Sequence, residues 1–172
     1  MKRIYTFLSA ILVVVLVSGC LLSFNHKIGI GKLNIEKNAR NSQQIDDNWQ
    51  VAKDTTDTIS AMIFYPEDQS DHTYSIYVNP PGLSMRYFFR GGGSVMETEQ
   101  MVAEFSMEGY DERAFVSMNQ QKICRVEIDG ENGIQRMDLD STKPFAFILP
   151  KSAGSVTLYD VNDTIVHSIP HG

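Results

Sequence analysis

From Thr58 to the end of the chain, short apolar or alternating runs are broken every few residues by turn-forming clusters, and this rhythm excludes most architectures except an all-β one. Thr58 to Tyr65 is closed by Pro66-Glu67-Asp68, His72 to Asn79 by Pro80-Pro81-Gly82, and Leu83 to Arg90 by Gly91-Gly92-Gly93, which reads as a three-stranded meander. Six further strands are expected: Arg113 to Met118, Lys122 to Asp129, Gly133 to Asp140, Phe145 to Leu149, Ser155 to Asp160 and Thr164 to Ile169. Gly130-Glu131-Asn132-Gly133 supplies the positive-φ residues of a hairpin. Phe145-Ala146-Phe147-Ile148-Leu149 is apolar on both alternating faces, as a central strand covered on both sides would be.

One segment breaks the rhythm. Ser94-Val95-Met96-Glu97 has the Ser-x-x-Glu form of a capping box, and Thr98, Met101, Val102 and Phe105 follow at helical spacing. The expected fold is therefore a β-sandwich with one α-helix of about three turns, starting at the Ser94 capping box and able to end at Gly109, whose apolar stripe covers one open end or face. Tyr159-Asp160-Val161-Asn162-Asp163-Thr164 resembles the last hairpin of bacterial immunoglobulin-like modules, which implies an immunoglobulin-like or related sandwich.

The N-terminal part obeys different rules. Lys2 and Arg3 precede an apolar stretch from Ile4 to Val17, and small residues Ser18 and Gly19 lead to Cys20, the parts of a secretory signal in their usual order. Val17-Ser18-Gly19-Cys20 resembles the lipobox of bacterial lipoproteins. That resemblance implies cleavage before Cys20, a diacylglycerol on its sulfur, and residence on the extracytoplasmic face of the cell membrane. The alternative is an uncleaved signal-anchor helix, because apolar character continues through Leu21, Leu22 and Phe24 and the run reaches the roughly 20 residues that cross a bilayer. Three regions follow: a signal peptide over 1–19, a lipidated cysteine with a polar tether over 20–47, and one β domain over 48–172. Within the tether, Ile28 to Ile35 alternates and is compatible with a weak added edge strand.

Charge and cysteine usage narrow the function classes. The formal net charge is -6 and falls to -8 once Lys2 and Arg3 are removed, which argues against a nucleic-acid surface. With Cys20 lipidated, Cys124 has no partner for an internal disulfide and reads as a small packed side chain.

No residue set specifies catalysis, a cofactor or a metal. His72 and His167 lack metal-ligand spacing, and the acids Asp68, Asp71, Asp129, Glu131, Asp138, Asp140, Asp160 and Asp163 fit turns better than a calcium loop. Arg90-Gly91-Gly92-Gly93-Ser94 leads toward the expected helix but lacks the Gly-Lys-Ser ending of a phosphate loop, so a flexible joint is the plainer reading. No serine lies in a Gly-x-Ser-x-Gly or Ser-x-x-Lys frame. The remaining candidate is aromatic: Tyr77, Arg86 and Phe88, each opposite the more apolar face of its strand, would form a patch for a glycan or an envelope protein, unless they pack beneath the helix. The chain thus reads as a membrane-tethered binding or structural module rather than an enzyme, with an exported hydrolase or an envelope-assembly accessory as rivals.

Overall fold

The computed structural model describes residues 29–82, 86–95, 102–131 and 133–169; the expected signal segment, Cys20 and the start of the expected tether lie outside the described residues. Among the described residues the fold is mainly β, with three antiparallel sheets and one short α-helix, in keeping with the sandwich expectation. Strands β1 (Ile30–Gly31), β2 (Gln50–Thr55), β3 (Ile59–Tyr65), β4 (Thr73–Val78) and β5 (Arg86–Gly93) form a five-stranded sheet in the order β1-β5-β4-β3-β2. Strands β6 (Ala103–Ser106), β7 (Glu112–Ser117) and β10 (Phe145–Pro150) form the second, in the order β10-β7-β6. The third runs β12-β11-β8-β9, from β8 (Ile123–Gly130), β9 (Gly133–Asp138), β11 (Ser155–Asp160) and β12 (Ile165–Ile169). Helix α1 spans Ile35–Gln43.

Side-chain alternation stacks these elements in layers, because a strand sends successive residues to opposite faces. In β3, Ile59, Ala61 and Ile63 enter one core with Ile76, Val78, Ala114, Val116 and Ile148, while Met62 and Phe64 enter another beneath α1. In β7 and β10, Ala114, Val116 and Ile148 face the five-stranded sheet, whereas Phe115, Phe145 and Phe147 face Val126, Val156 and Leu158 of the third sheet. The three-stranded sheet is therefore the middle layer, with α1 on the outside of the first sheet. Phe115 and Phe147, opposite each other in the ladder, stack with centroids 4.7 Å apart and centre the second core.

Phe145 to Leu149 is covered on both faces as its sequence implied, but it ends its ladder rather than standing at the centre. Its outer edge meets β2, where the Ile148 N–H donates to Asp54 Oδ2 at 2.8 Å. A side chain here substitutes for a ladder partner.

The helix is not where its sequence pattern placed it. Residues 103–106, the end of the expected helix, form β6: Ala103 and Phe105 turn inward, and Phe105 meets Tyr74 at 4.8 Å between ring centroids. Residues 96–101 of that expectation lie outside the described residues. Pairing to β7 satisfies the backbone of residues 103–106.

The helix instead occupies residues expected to be polar tether, and described residues ahead of 48, among them Ile30, Ile35, Ala39 and Ile45, are packed into the domain. Ile35 and Ala39, one turn apart, are buried against Met62, Phe64 and Tyr77. Nine residues are too few for a stable isolated helix, so this docking is what holds it. Arg40 reinforces the dock: it pairs with Glu36 at 3.1 Å, lies over Phe64, and donates to the carbonyls of Asp46 and Trp49. Gln44 at φ 56 ends the helix in the left-handed conformation, and Ile45 turns back into the same core. The edge strand foreseen within Ile28 to Ile35 is β1, two residues paired to Tyr87 and Arg86.

Candidate functional site

Tyr77, Arg86 and Phe88 do not form one surface. Alternation within each strand is as the sequence indicated, but the faces match differently across strands. A register shift between Ile76 and Tyr77 sets Tyr77 opposite Phe89 and Val78 opposite Phe88. Tyr77 therefore shares the α1 side with Phe89 and Tyr87, while Phe88 and Arg86 lie on the reverse face. Tyr77 is fully buried; its ring meets Phe89 edge-on at 5.4 Å, and its hydroxyl donates to Asn38 Oδ1 on α1 at 2.8 Å. Burial holds this phenol above its ordinary pKa. Packing under a helix is thus its fate, with α1 as the helix. Arg86 is exposed and donates to the Gly29 carbonyl, and Phe88 packs so closely on Gly29 that an added Cβ there would lie 2.8 Å from its ring.

The glycine run beside this region, expected to be a flexible joint, is strand. Gly91 and Gly92 pair with Ile76 and Ser75 in the β4–β5 ladder. A Cβ on Gly92 would fall 2.8 Å from the Tyr74 carbonyl and about as close to the Gln43 amide. That amide donates to Ser75, while its oxygen accepts from Thr73 at 2.8 Å, so the missing side chain is what lets the end of α1 reach β4.

The described surface with the most recognition chemistry is the outer face of the four-stranded sheet. Since Val126 and Ile128 point into the core, Arg125 and Glu127 must point outward. Tyr159 stands opposite Arg125 in the ladder, and the guanidinium lies 4.2 Å from the Tyr159 ring centroid. Asp163, from the β11–β12 turn, binds the same guanidinium, and Glu127 contacts it at 3.3 Å while also pairing with Arg136 at 2.9 Å. Desolvation and then the Glu127 carboxylate raise the Tyr159 phenol pKa. Around this network lie Ile134, Val161 and Ile165, which are three of the five exposed large apolar side chains among the described residues. The sheet and its last turn therefore offer apolar contact around a guanidinium whose orientation is already fixed.

A separate cleft of about 490 Å³ opens where β1 leads into α1, lined by Gly31, Lys32, Leu33, Asp57, Asn79 and Tyr87. Lys32 and Asp57 bridge its mouth at 3.1 Å, and the Tyr87 hydroxyl donates to the Thr56 carbonyl at its base. Leu33 stands on its rim 97% exposed.

The other sequence candidates are dispersed. His72 Nε2 accepts the Val95 N–H at 3.0 Å, and His167 lies on a different sheet. Asp68, Asp140 and Asp160 each accept the backbone N–H two residues ahead, as turn acids do. Among the described residues, no three His, Cys, Asp or Glu side chains converge in a way that would hold a metal. Half-buried Cys124 donates its thiol to the Asp160 carbonyl at 3.3 Å. Ser60 and Ser75 are buried, in hydrogen bonds to Thr55 and Gln43. No described helix is long and apolar enough to cross a membrane.

The Arg125–Tyr159 pair escaped sequence reading although a signal existed: alternation puts Arg125 and Glu127 on one face of β8, and Tyr159 lies on a strand of matching length. Only the ladder order brings them together. Comparison with known proteins identifies no relative: no family model, no curated protein sequence and no solved structure matches the chain.

Proposed function

We propose that the chain is a lipid-anchored protein on the extracytoplasmic face of a bacterial cell membrane, and that its β domain is a binding module for another envelope protein. The observation that carries the location is Val17-Ser18-Gly19-Cys20 at the end of an apolar stretch behind two basic residues. A diacylated Cys20 would supply the two acyl chains that stable anchoring needs.

The binding role is supported by the outer face of the four-stranded sheet. Arginine and tyrosine are enriched where binding energy concentrates in protein interfaces, and a guanidinium already fixed by a ring and two acids loses little entropy on contact. A protein fits this face better than a glycan. Tyr159, the aromatic ring at its centre, is already covered by Arg125 and offers no free platform for a sugar.

Intact mass and membrane partition of the natively expressed protein, beside Cys20→Ala, test the anchor. A diacylglycerol-sized gain with loss of residues 1–19, abolished in the variant, is expected; an unchanged full-length mass in both would leave a helix-anchored protein. A photo-crosslinking residue at Ile165, with one at Lys37 on α1 as control, tests the face in living cells. A discrete adduct from position 165 alone is expected, weakened by Arg125→Ala; equal labelling from both positions would remove the assignment.

A further inference from the structure

We infer that the corner formed by Lys32, Leu33 and Arg86 docks onto an anionic lipid bilayer, with the Leu33 side chain entering the interface and the two cations meeting lipid headgroups. This deepens the anchoring proposal and rests on it.

The geometry begins with the short 3₁₀ turn Lys32–Asn34 between β1 and α1. Its neighbours Ile30 and Ile35 belong to the core beneath α1, which leaves Leu33 pointing away from the domain and 97% exposed. Arg86 is paired in register with Gly31, the residue before this turn, so Arg86, exposed on the sheet face away from α1 and donating to the Gly29 carbonyl, and Lys32, held by Asp57 beside Tyr87, flank this edge from opposite faces. A lone surface leucine needs no explanation. Its flanking charges and its distance from the anchor supply one.

From Cys20 to Gly29 is nine residues of chain, a span of at most about 30 Å even when fully extended. The corner that holds Gly29 therefore stays within one domain diameter of the membrane. Charge points the same way: residues 20–35 contain Lys27 and Lys32 and no acid, in a chain whose net charge is -6. Of the nearby acids, Glu36 is paired with Arg40 and Lys53, Asp54 binds the Ile148 N–H, and Asp57, 98% exposed and bound to Lys32, can swing into solvent as headgroup phosphates replace it. Docking here would hold the four-stranded sheet, the layer farthest from α1, away from the bilayer and open to a partner.

The test uses the full chain purified from bacterial membranes and reconstituted into phosphatidylcholine vesicles containing phosphatidylglycerol. Trp49, the sole tryptophan, is replaced in Trp49→Phe, and a reporter is introduced by Leu33→Trp or, as control, by Ile134→Trp on the four-stranded sheet. Both positions are exposed, and matching thermal melts would verify that the fold is kept. Quenching by brominated acyl chains with a blue shift is expected for the reporter at 33 and not at 134. Lys32→Gln with Arg86→Gln should shift the docked fraction about thirtyfold toward undocked, the effect expected of two headgroup-facing cations. A reporter at 33 as unresponsive as that at 134, in protein that still floats with the vesicles, overturns the docking and leaves the anchor standing. Protein that does not float overturns both.

Discussion

Asn119 and Ile123 bind each other in both directions: the Asn119 amide donates to the Ile123 carbonyl at 3.1 Å, and its oxygen accepts the Ile123 N–H at 2.7 Å. One side chain thereby imitates a backbone bridge and closes the loop between β7 and β8. The same amide donates to the carbonyls of Asp140 and Lys143, tying in the turn before β10. Asn119 holds φ 55 and is 5% exposed, so this hub is strained toward asparagine and almost dry.

Asn119→Ala should destabilise the domain by about 2–3 kcal/mol, because it strands a buried N–H and several carbonyls. Urea unfolding followed by far-ultraviolet circular dichroism measures this. A change below half a kcal/mol would mean that the two loops hold without the hub.

Gly154 tests close approach. Its φ is +101, and a Cβ there would lie 2.0 Å from the Asp129 carbonyl oxygen, against backbone that cannot move aside cheaply. Gly154→Ala should cost about 4 kcal/mol or prevent accumulation of folded protein, whereas Gly31→Ala, with open space at its Cβ, should stay within about 0.5 kcal/mol. Thermal melts of the pair decide it, and equal melting points would refute the contact.

Tyr77 separates a packed role from a surface one. Loss of its bond to Asn38 in Tyr77→Phe should cost about 1 kcal/mol, and Tyr77→Ala, which empties the core beneath α1, about 3–5 kcal/mol. If instead Tyr77→Ala melts like wild type, the residue faces solvent and α1 is not docked there.

The carboxyl of Asp140 is held down to about 2, first by the Thr142 hydroxyl, then by the Thr142 N–H and Lys143. A depressed folded pKa means that the turn is supported above the ordinary carboxylate value, near 3.8, and that this support is lost as pH falls toward 2. Carboxyl carbon shifts followed by NMR should titrate near 2 in the wild type and move upward in Thr142→Val. A wild-type midpoint near 3.8 would sink the assignment.

What the sequence determined by itself was strand identity. Turn clusters and period-two alternation located β3, β4, β7 to β9 and β10 to β12 to within a residue or two, since these patterns are local and record which face of a strand is dry. The inward set Tyr74, Ile76 and Val78 was legible for that reason, and so was the double-faced apolar run at Phe145 to Leu149. Tertiary structure alone decided how faces match between strands. The register shift after Ile76 sends Tyr77 under α1 and leaves Phe88 on the reverse side, a choice made by hydrogen bonding between strands that neither strand encodes alone. It also decided the helix. Ile35 and Ala39 are too few to announce α1 against its polar neighbours, and only the groove over Met62 and Phe64 makes their burial worthwhile, whereas Phe105, helical in its spacing, gained more from pairing to β7 and packing on Tyr74. The Arg125–Tyr159 face arises in the same way: each residue is ordinary in its own strand, and the β8–β11 ladder makes them a site.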